Sequence, residues 1–360
     1  MDSLTQIVLG AACGEAVLGR KIGNKALLFG AIGGTIPDLD VFVGRLLYSN
    51  QIDTMAYHRG FMHSIFFAII GAFAFGWLVF KLYDKGKRKH TTTLSNWRWL
   101  FFWSLFTHPI LDSFTGYGTQ LFAPFSNYRV AFNNISVVDV FYTLPFLVCM
   151  IVLMFFNRNS TRRQYWLKLG IAISSVYMLF TLGNKLYIDH VFKSSLKHKN
   201  IKYSRFQTQP SLMANILWYG TVETESDFLL GYYSNFDSED YVVDWVTIPK
   251  TKYSIQINHP DIKTLKWFSK GYFNIYEDED EDEVEDEIEN EELESYIYTD
   301  LRYPLWDPND PTSSVFSFQI YKKGERWDMK RFSPARGKEK MSFKEALNLF
   351  KPMFERMGGN

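Results

Sequence analysis

The chain has 360 residues, enough for two domains, with 39 basic and 39 acidic side chains. That balance averages unlike parts: residues 277–294 hold 14 acidic groups, and outside them 39 basic residues face 25 acidic ones. The only cysteines, Cys13 and Cys149, lie in apolar runs without metal-ligand spacing, which excludes a disulfide in the polar second half and a thiolate metal site.

Residues 1–190 are apolar and aromatic, and residues 191–360 are charged and mixed. The start has no basic n-region and opens with Asp2, so the first helix is expected to stay in the protein. Six apolar runs follow in order: 4–18, 26–37, 61–80, 99–111, 140–156 and 169–184. A bilayer span needs about 20 residues. The third, fifth and sixth runs are read as spans, and the shorter ones as members of a bundle that shields them. Lys and Arg in short loops set orientation. Lys81 to Arg98 and Arg158 to Lys168 are two such basic loops, expected to be cytoplasmic together with Arg20, Lys21 and Lys25. Tracing the runs from those anchors puts Asp38, Asp40, His58, His63, His108, Asp112 and Asp139 on the opposite side. Counting at about 1.5 Å per residue places Asp38 roughly 20 Å from Lys25, short of the roughly 30 Å hydrocarbon core, so the polar residues are expected in a pocket of the outer leaflet. The polar, aromatic loop 113–136 lies on that side and is expected to roof the pocket.

The second half reads as short strands at about 201–208, 216–223, 228–233, 241–247, 272–276, 296–299 and 315–322, with an amphipathic helix from Phe343 to Met357. The like-charge block 277–294 reads as a solvated segment. The expected fold is a multi-pass α-helical membrane bundle, residues 1–188, followed by a soluble α+β domain, residues 189–360, on the extracytoplasmic side of the plasma membrane.

Carboxylates and imidazoles inside membrane-grade sequence are costly and mark a functional site by default. Asp38 and Asp40 follow Pro37; in a helix they point about 200° apart, and in a turn both reach one ion. His58 and His63 are five apart, and converge if a helix starts near Phe61. His108 and Asp112 share a helix face at i and i+4. The expected metal ligands are Asp38, Asp40, His58, His63, His108 and Asp112, and the oxygen and nitrogen donors suit a divalent ion such as Zn²⁺ or Mn²⁺. Asp112 is alternatively the carboxylate that fixes an imidazole tautomer. Arg59 is a candidate for holding a substrate anion, since a guanidinium matches phosphate bidentately. Glu15, Asp2 and Asp139 are read as ligand, general base or helix cap. Asp112, Arg59 and Glu15 are the residues expected to serve catalysis. No Gly-x-Ser-x-Gly, phosphate-binding glycine loop or Cys–His pairing supports a covalent mechanism.

Met1-Asp2-Ser3-Leu4-Thr5-Gln6, Pro37-Asp38-Leu39-Asp40, His58-Arg59-Gly60-Phe61-Met62-His63-Ser64, Thr107-His108-Pro109-Ile110-Leu111-Asp112 and Tyr117-Gly118-Thr119-Gln120 occur in that order. Together they resemble the YdjM/YbcI-type inner-membrane metal-dependent hydrolase family, over about residues 1–185. The resemblance implies a membrane-bound, phospholipase-like hydrolase acting on a lipid or phosphoester at the outer face by metal-activated water. Membrane lipid is the expected partner. Nucleic acid is not, because the basic clusters are membrane-flanking loops. The alternatives are a metal carrier or sensor, and a structural anchor presenting residues 189–360 to a partner.

Overall fold

The structure, a computed structural model, describes residues 1–211, 213–251, 255, 257–278, 294–305, 307, 310–331, 351 and 353–359. The chain divides into two compact units. The first is Met1–Leu46, Tyr57–Lys185 and Leu212–Asn215; the second is Leu47–Ala56, Leu186–Ser211 and Ile216–Asn360.

The first unit is helical: α1 (Ser3–Ile22), α2 (Asn24–Thr35), α3 (Asp40–Leu47), α5 (Ile65–Tyr83), α6 (Leu94–Ser113), α7 (Val140–Met154) and most of α8 (Thr161–His198). Single 3₁₀ turns at Pro37–Leu39 and Phe61–His63 lead into α3 and α5. By length and composition α5 and α8 suffice to cross a membrane, and α2 with its 41° continuation through Pro37–Leu47 makes a third candidate. α7 is apolar but only 15 residues long.

α1 and α2 pack backbone on backbone. A Cβ on Gly10 would stand 2.4 Å from the Gly30 carbonyl oxygen, and one on Gly14 2.1 Å from that of Ala26. Gly10 and Gly14, and Gly30 and Gly34, are two Gly-x-x-x-Gly pairs, the spacing that lets helix backbones meet where lipid supplies no hydrophobic drive. This contact places the end of α2, and so Gly34 and Asp38, beside α6. Caps fix the helix starts: the Asp2 side chain accepts from the Thr5 amide at the head of α1, and Asp139 from that of Tyr142 at the head of α7. Of the readings open for these two aspartates, the structure shows the cap.

The second unit contains two antiparallel four-stranded meanders among its described residues. β1 (Arg205–Pro210), β2 (Leu217–Glu223), β3 (Asp227–Ser234) and β4 (Trp245–Pro249) form the first. β5 (Phe273–Glu277), β6 (Ser295–Asp300), β7 (Ser317–Lys323) and β8 (Arg326–Arg331) form the second. Ile52 of α4 (Gln51–Tyr57) joins the core of the second meander, with Ile262 and Leu265 of α9 (Pro260–Phe268) and Phe273, Tyr298 and Trp327 of the strands. The end of α8 packs Phe192 against Gly220, where any Cβ would meet the ring.

β1 and β4 start four residues later than the expected strands 201–208 and 241–247. α3, α4, α9 and β8 were not expected. The β7–β8 turn passes through Gly324 at φ 64°, a left-handed position that suits glycine. The acidic block lies outside the described residues except at Glu277, Asp278 and Glu294. Of the expected closing helix, Lys351 and Met353–Met357 are described and are helical.

Candidate metal centre

Three elements of the helical unit bring four polar residues to one place. The turn after α2 supplies Asp38, the turn before α5 supplies His63, and α6 supplies His108 and Asp112. His63 Nε2 and His108 Nε2 are 3.1 Å apart. Asp38 Oδ1 lies 3.4 Å from each of them. Asp112 Oδ2 lies 3.4 Å from His63 Nε2 and 3.5 Å from His108 Nε2. His63, His108 and Asp112 are buried, and the Asp38 side chain is 29% exposed, so the cluster opens on its Asp38 side.

The surroundings decide what these atoms carry. His108 Nδ1 is 2.6 Å from the Gly34 carbonyl oxygen, so that nitrogen holds the proton and donates, leaving a lone pair on Nε2. His63 Nδ1 faces Asp40 Oδ2 at 3.0 Å, too oblique for a full hydrogen bond but the nearest acceptor, which leaves its Nε2 basic as well. Asp112 Oδ2 has no hydrogen-bond partner although it is buried. With both imidazoles in these neutral tautomers, two lone pairs and two carboxylate oxygens converge on one point. Such a set repels itself unless a cation sits inside it. A tetrahedral ion bonded at about 2.0–2.2 Å sets its ligand atoms roughly 3.3–3.6 Å apart, close to the spacings found here. The donor set thus fits a divalent metal, with Asp38, His63, His108 and Asp112 as the group that could hold it.

A second ring of contacts holds the four in place. Asp112 Oδ1 accepts from Gln6 Nε2 at 2.9 Å and from the Met1 amino group. Asp40 is fully buried and binds three groups: His58 Nδ1 at 2.8 Å, the Arg59 amide at 2.8 Å, and the flank of His63. Arg59 takes φ 58°, an uncommon conformation for a side-chain-bearing residue, and this aims its amide at Asp40. Its guanidinium reaches back to the cluster, with Nε 3.3 Å from Asp112 Oδ2 and Nη1 donating to Thr115 Oγ1 at 3.0 Å. Loop 113–136 folds over this segment. Tyr117 lies under Arg59 at 4.8 Å and under Arg129 at 4.9 Å, and Arg129 donates to the His58 and Gly118 carbonyls.

The match to the family model described as YdjM inner membrane protein covers residues 1–187, more than half of the chain and all of the cluster. The chain belongs to this family. A Bacillus subtilis (strain 168) protein named "Uncharacterized protein YfhP" is 28% identical over 159 residues, 42% of this chain and 46% of the relative. That match spans about half of the relative's length. No solved structure matches the chain.

Within this YdjM chain the structure gathers Asp38, His63, His108 and Asp112, keeps Arg59 beside them, and sets Asp40, His58 and Glu15 outside the cluster. Asp40 and His58, expected as ligands, stand behind His63, outside the four-atom cluster. The Pro37–Leu39 turn runs directly into α3, so the backbone is helical and Asp38 and Asp40 point apart. Glu15 is not brought to the cluster: both its oxygens are held by Arg163, at 2.7 and 2.6 Å, and both residues are buried. The sequence reading missed Arg163, Gln6, Thr115 and Arg129. Gln6 alone carried a signal, as a polar residue in the first apolar run.

Proposed function

We propose that the protein is a membrane-bound, metal-dependent hydrolase acting on a lipid or phosphoester at the outer face of the plasma membrane. Support comes from one observation above all: four convergent Lewis-basic atoms beside the Arg59 guanidinium, its Nε 3.3 Å from Asp112 Oδ2, in a family of inner membrane proteins. Asp38, His63, His108 and Asp112 hold the ion, Zn²⁺ or Mn²⁺ by donor type. When bound, it supplies Lewis acidity toward an ester or phosphoryl oxygen and a water acidified toward a pKa of about 7. Arg59 binds an anionic oxygen of the substrate, its guanidinium held by Thr115 and Tyr117. Asp40 orients His63 and, through the Arg59 amide, the start of the Arg59 side chain. Asp38, whose side chain is 29% exposed, receives the proton of the entering water on the oxygen that does not face the imidazoles.

Elemental analysis of detergent-purified protein tests the reading, followed by release assays on phospholipids and phosphoesters. One or two equivalents of transition metal, absent from His63→Ala and His108→Ala, together with hydrolysis that those variants lose, are expected. Metal without any hydrolysis would move the assignment to a structural or transport metal site. No metal after dialysis against zinc and manganese would end it.

A further inference from the structure

The surface beside the cluster has a use that metal chemistry does not explain. Residues 121–128 of the loop over the site carry no charge. Phe122, Phe125 and Tyr128 are 53%, 80% and 64% exposed, three large aromatic rings within one short stretch of loop. The patch is tied to the start of α5: the Ile65 amide donates to the Leu121 carbonyl at 3.0 Å, and the Phe125 ring meets Phe66 edge-on at 5.6 Å. α5 is the most apolar of the candidate spans and is mostly unburied, so in an inner membrane protein its outward side meets lipid. Phe125 extends that side through its contact with Phe66.

Depth follows from length. The 19 residues of α5 rise about 28 Å, close to the roughly 30 Å hydrocarbon core. Taken from Lys81 in the last turn of α5, Ile65 lies about 24 Å away, a few ångströms short of the opposite boundary. The Phe122–Tyr128 rings then lie at the level where acyl chains give way to headgroups, the zone that aromatic side chains favour. His63 is two residues from that level.

We propose that loop residues 121–128 are seated in the headgroup–acyl boundary of the bilayer, with membrane lipid as the partner of this surface. Resting on the hydrolase reading, the consequence is that substrate enters the cluster sideways, as a phospholipid whose ester and phosphate groups lie at the depth of His63, rather than from water.

Site-directed spin labelling of the full chain, reconstituted in vesicles of phosphatidylethanolamine and phosphatidylglycerol, tests the seating. In a background with Cys13→Ala and Cys149→Ala, labels are placed one at a time by Phe125→Cys and Tyr128→Cys. Phe73→Cys on the outward side of α5 serves as the deep reference and Lys87→Cys in an exposed loop as the aqueous one. The ratio of collision with oxygen to collision with a water-soluble nickel chelate should be severalfold higher at both loop positions than at Lys87→Cys, and lower than at Phe73→Cys. A ratio equal to that at Lys87→Cys would put the loop in water and overturn the proposal. Low collision with both reagents, meaning cover by protein or a second copy, would overturn it too. Loop depth is read without turnover, so failure of the hydrolase reading registers separately, as missing metal or missing hydrolysis.

Discussion

Two places where the helical unit buries charge are built on opposite rules. At Glu15 and Arg163 every group is answered. The guanidinium holds both carboxylate oxygens, and its remaining hydrogens go to Asn24 Oδ1 at 2.7 Å and to the Leu153 and Phe156 carbonyls. At Asp38, His63, His108 and Asp112 acceptors outnumber donors, and Asp112 Oδ2 and Arg59 Nε, 3.3 Å apart as an ion pair, make no well-formed hydrogen bond. Burial of charge inside apolar sequence thus does not by itself separate a structural pair from a site. The state of satisfaction does: a closed pair has nothing left to offer a ligand, and an open set has.

The first way to break this contrast is at the closed pair. Arg163→Ala leaves Glu15 buried and alone, and a stability loss of about 3–5 kcal/mol is expected, read as a lower unfolding temperature in detergent. Replacing both partners, Glu15→Leu with Arg163→Met, should recover part of that loss, because a buried pair is often no better than apolar side chains of similar volume. Recovery stays partial because the end of α7 loses the hydrogen bonds from Arg163. At the open cluster the opposite pattern is expected. His108→Ala should abolish stoichiometric metal while the protein stays folded, since one excess base leaves with it. A collapse of His108→Ala comparable to that of Arg163→Ala would make the cluster structural as well.

A milder cut distinguishes ligand from support. Asp40→Asn keeps the size of the side chain and its contact with the Arg59 amide, but weakens the carboxylate that faces His63 Nδ1. Metal affinity should drop about 10–100-fold, with stoichiometry restored at high metal concentration. Complete loss, as in His108→Ala, would return Asp40 to the ligand set; unchanged affinity would remove it from the site.

What was legible in the sequence follows from the same physics. The four cluster residues stood out because each interrupts or closes an apolar run, and position alone exposes that. Five of the six runs lie within or almost within α1, α2, α6, α7 and α8, and the sixth fills α5 with the turn before it. Asp40 falls outside the four-atom cluster because the geometry after Pro37 was open: a turn brings both carboxylates to one ion, a helix parts them, and the chain took the helix. The role of Glu15 was hidden because its partner comes 148 residues later. The two Gly-x-x-x-Gly pairs were readable and were passed over. α9 and β8 escaped because mixed polarity over 260–268 and 326–331 gives no clean period.

The weakest electrostatic contact worth testing lies in the sheet unit, where water reaches the charges. Arg205 and Glu223 are directly paired across β1 and β2, with Nε to Oε2 at 2.5 Å, and Lys250 Nζ reaches Oε1 at 2.9 Å. Partial burial pushes the Glu223 carboxyl up, but the Lys250 ammonium and the Arg205 guanidinium outweigh it and hold it below the usual glutamate range. A carboxyl with a lowered folded pKa stabilises the protein above its unfolded value, about 4.3, and that contribution disappears as the pH falls through the folded value. Glu223→Gln should therefore cost at most about 1 kcal/mol near pH 7, less in high salt, and nothing once the pH is well below 4. Unfolding of wild type and variant followed at pH 7 and pH 3 checks the sign. A cost that persists at pH 3 would mean that Glu223 acts through packing, and would remove this triad from the series running from closed pair to open cluster to screened surface charge.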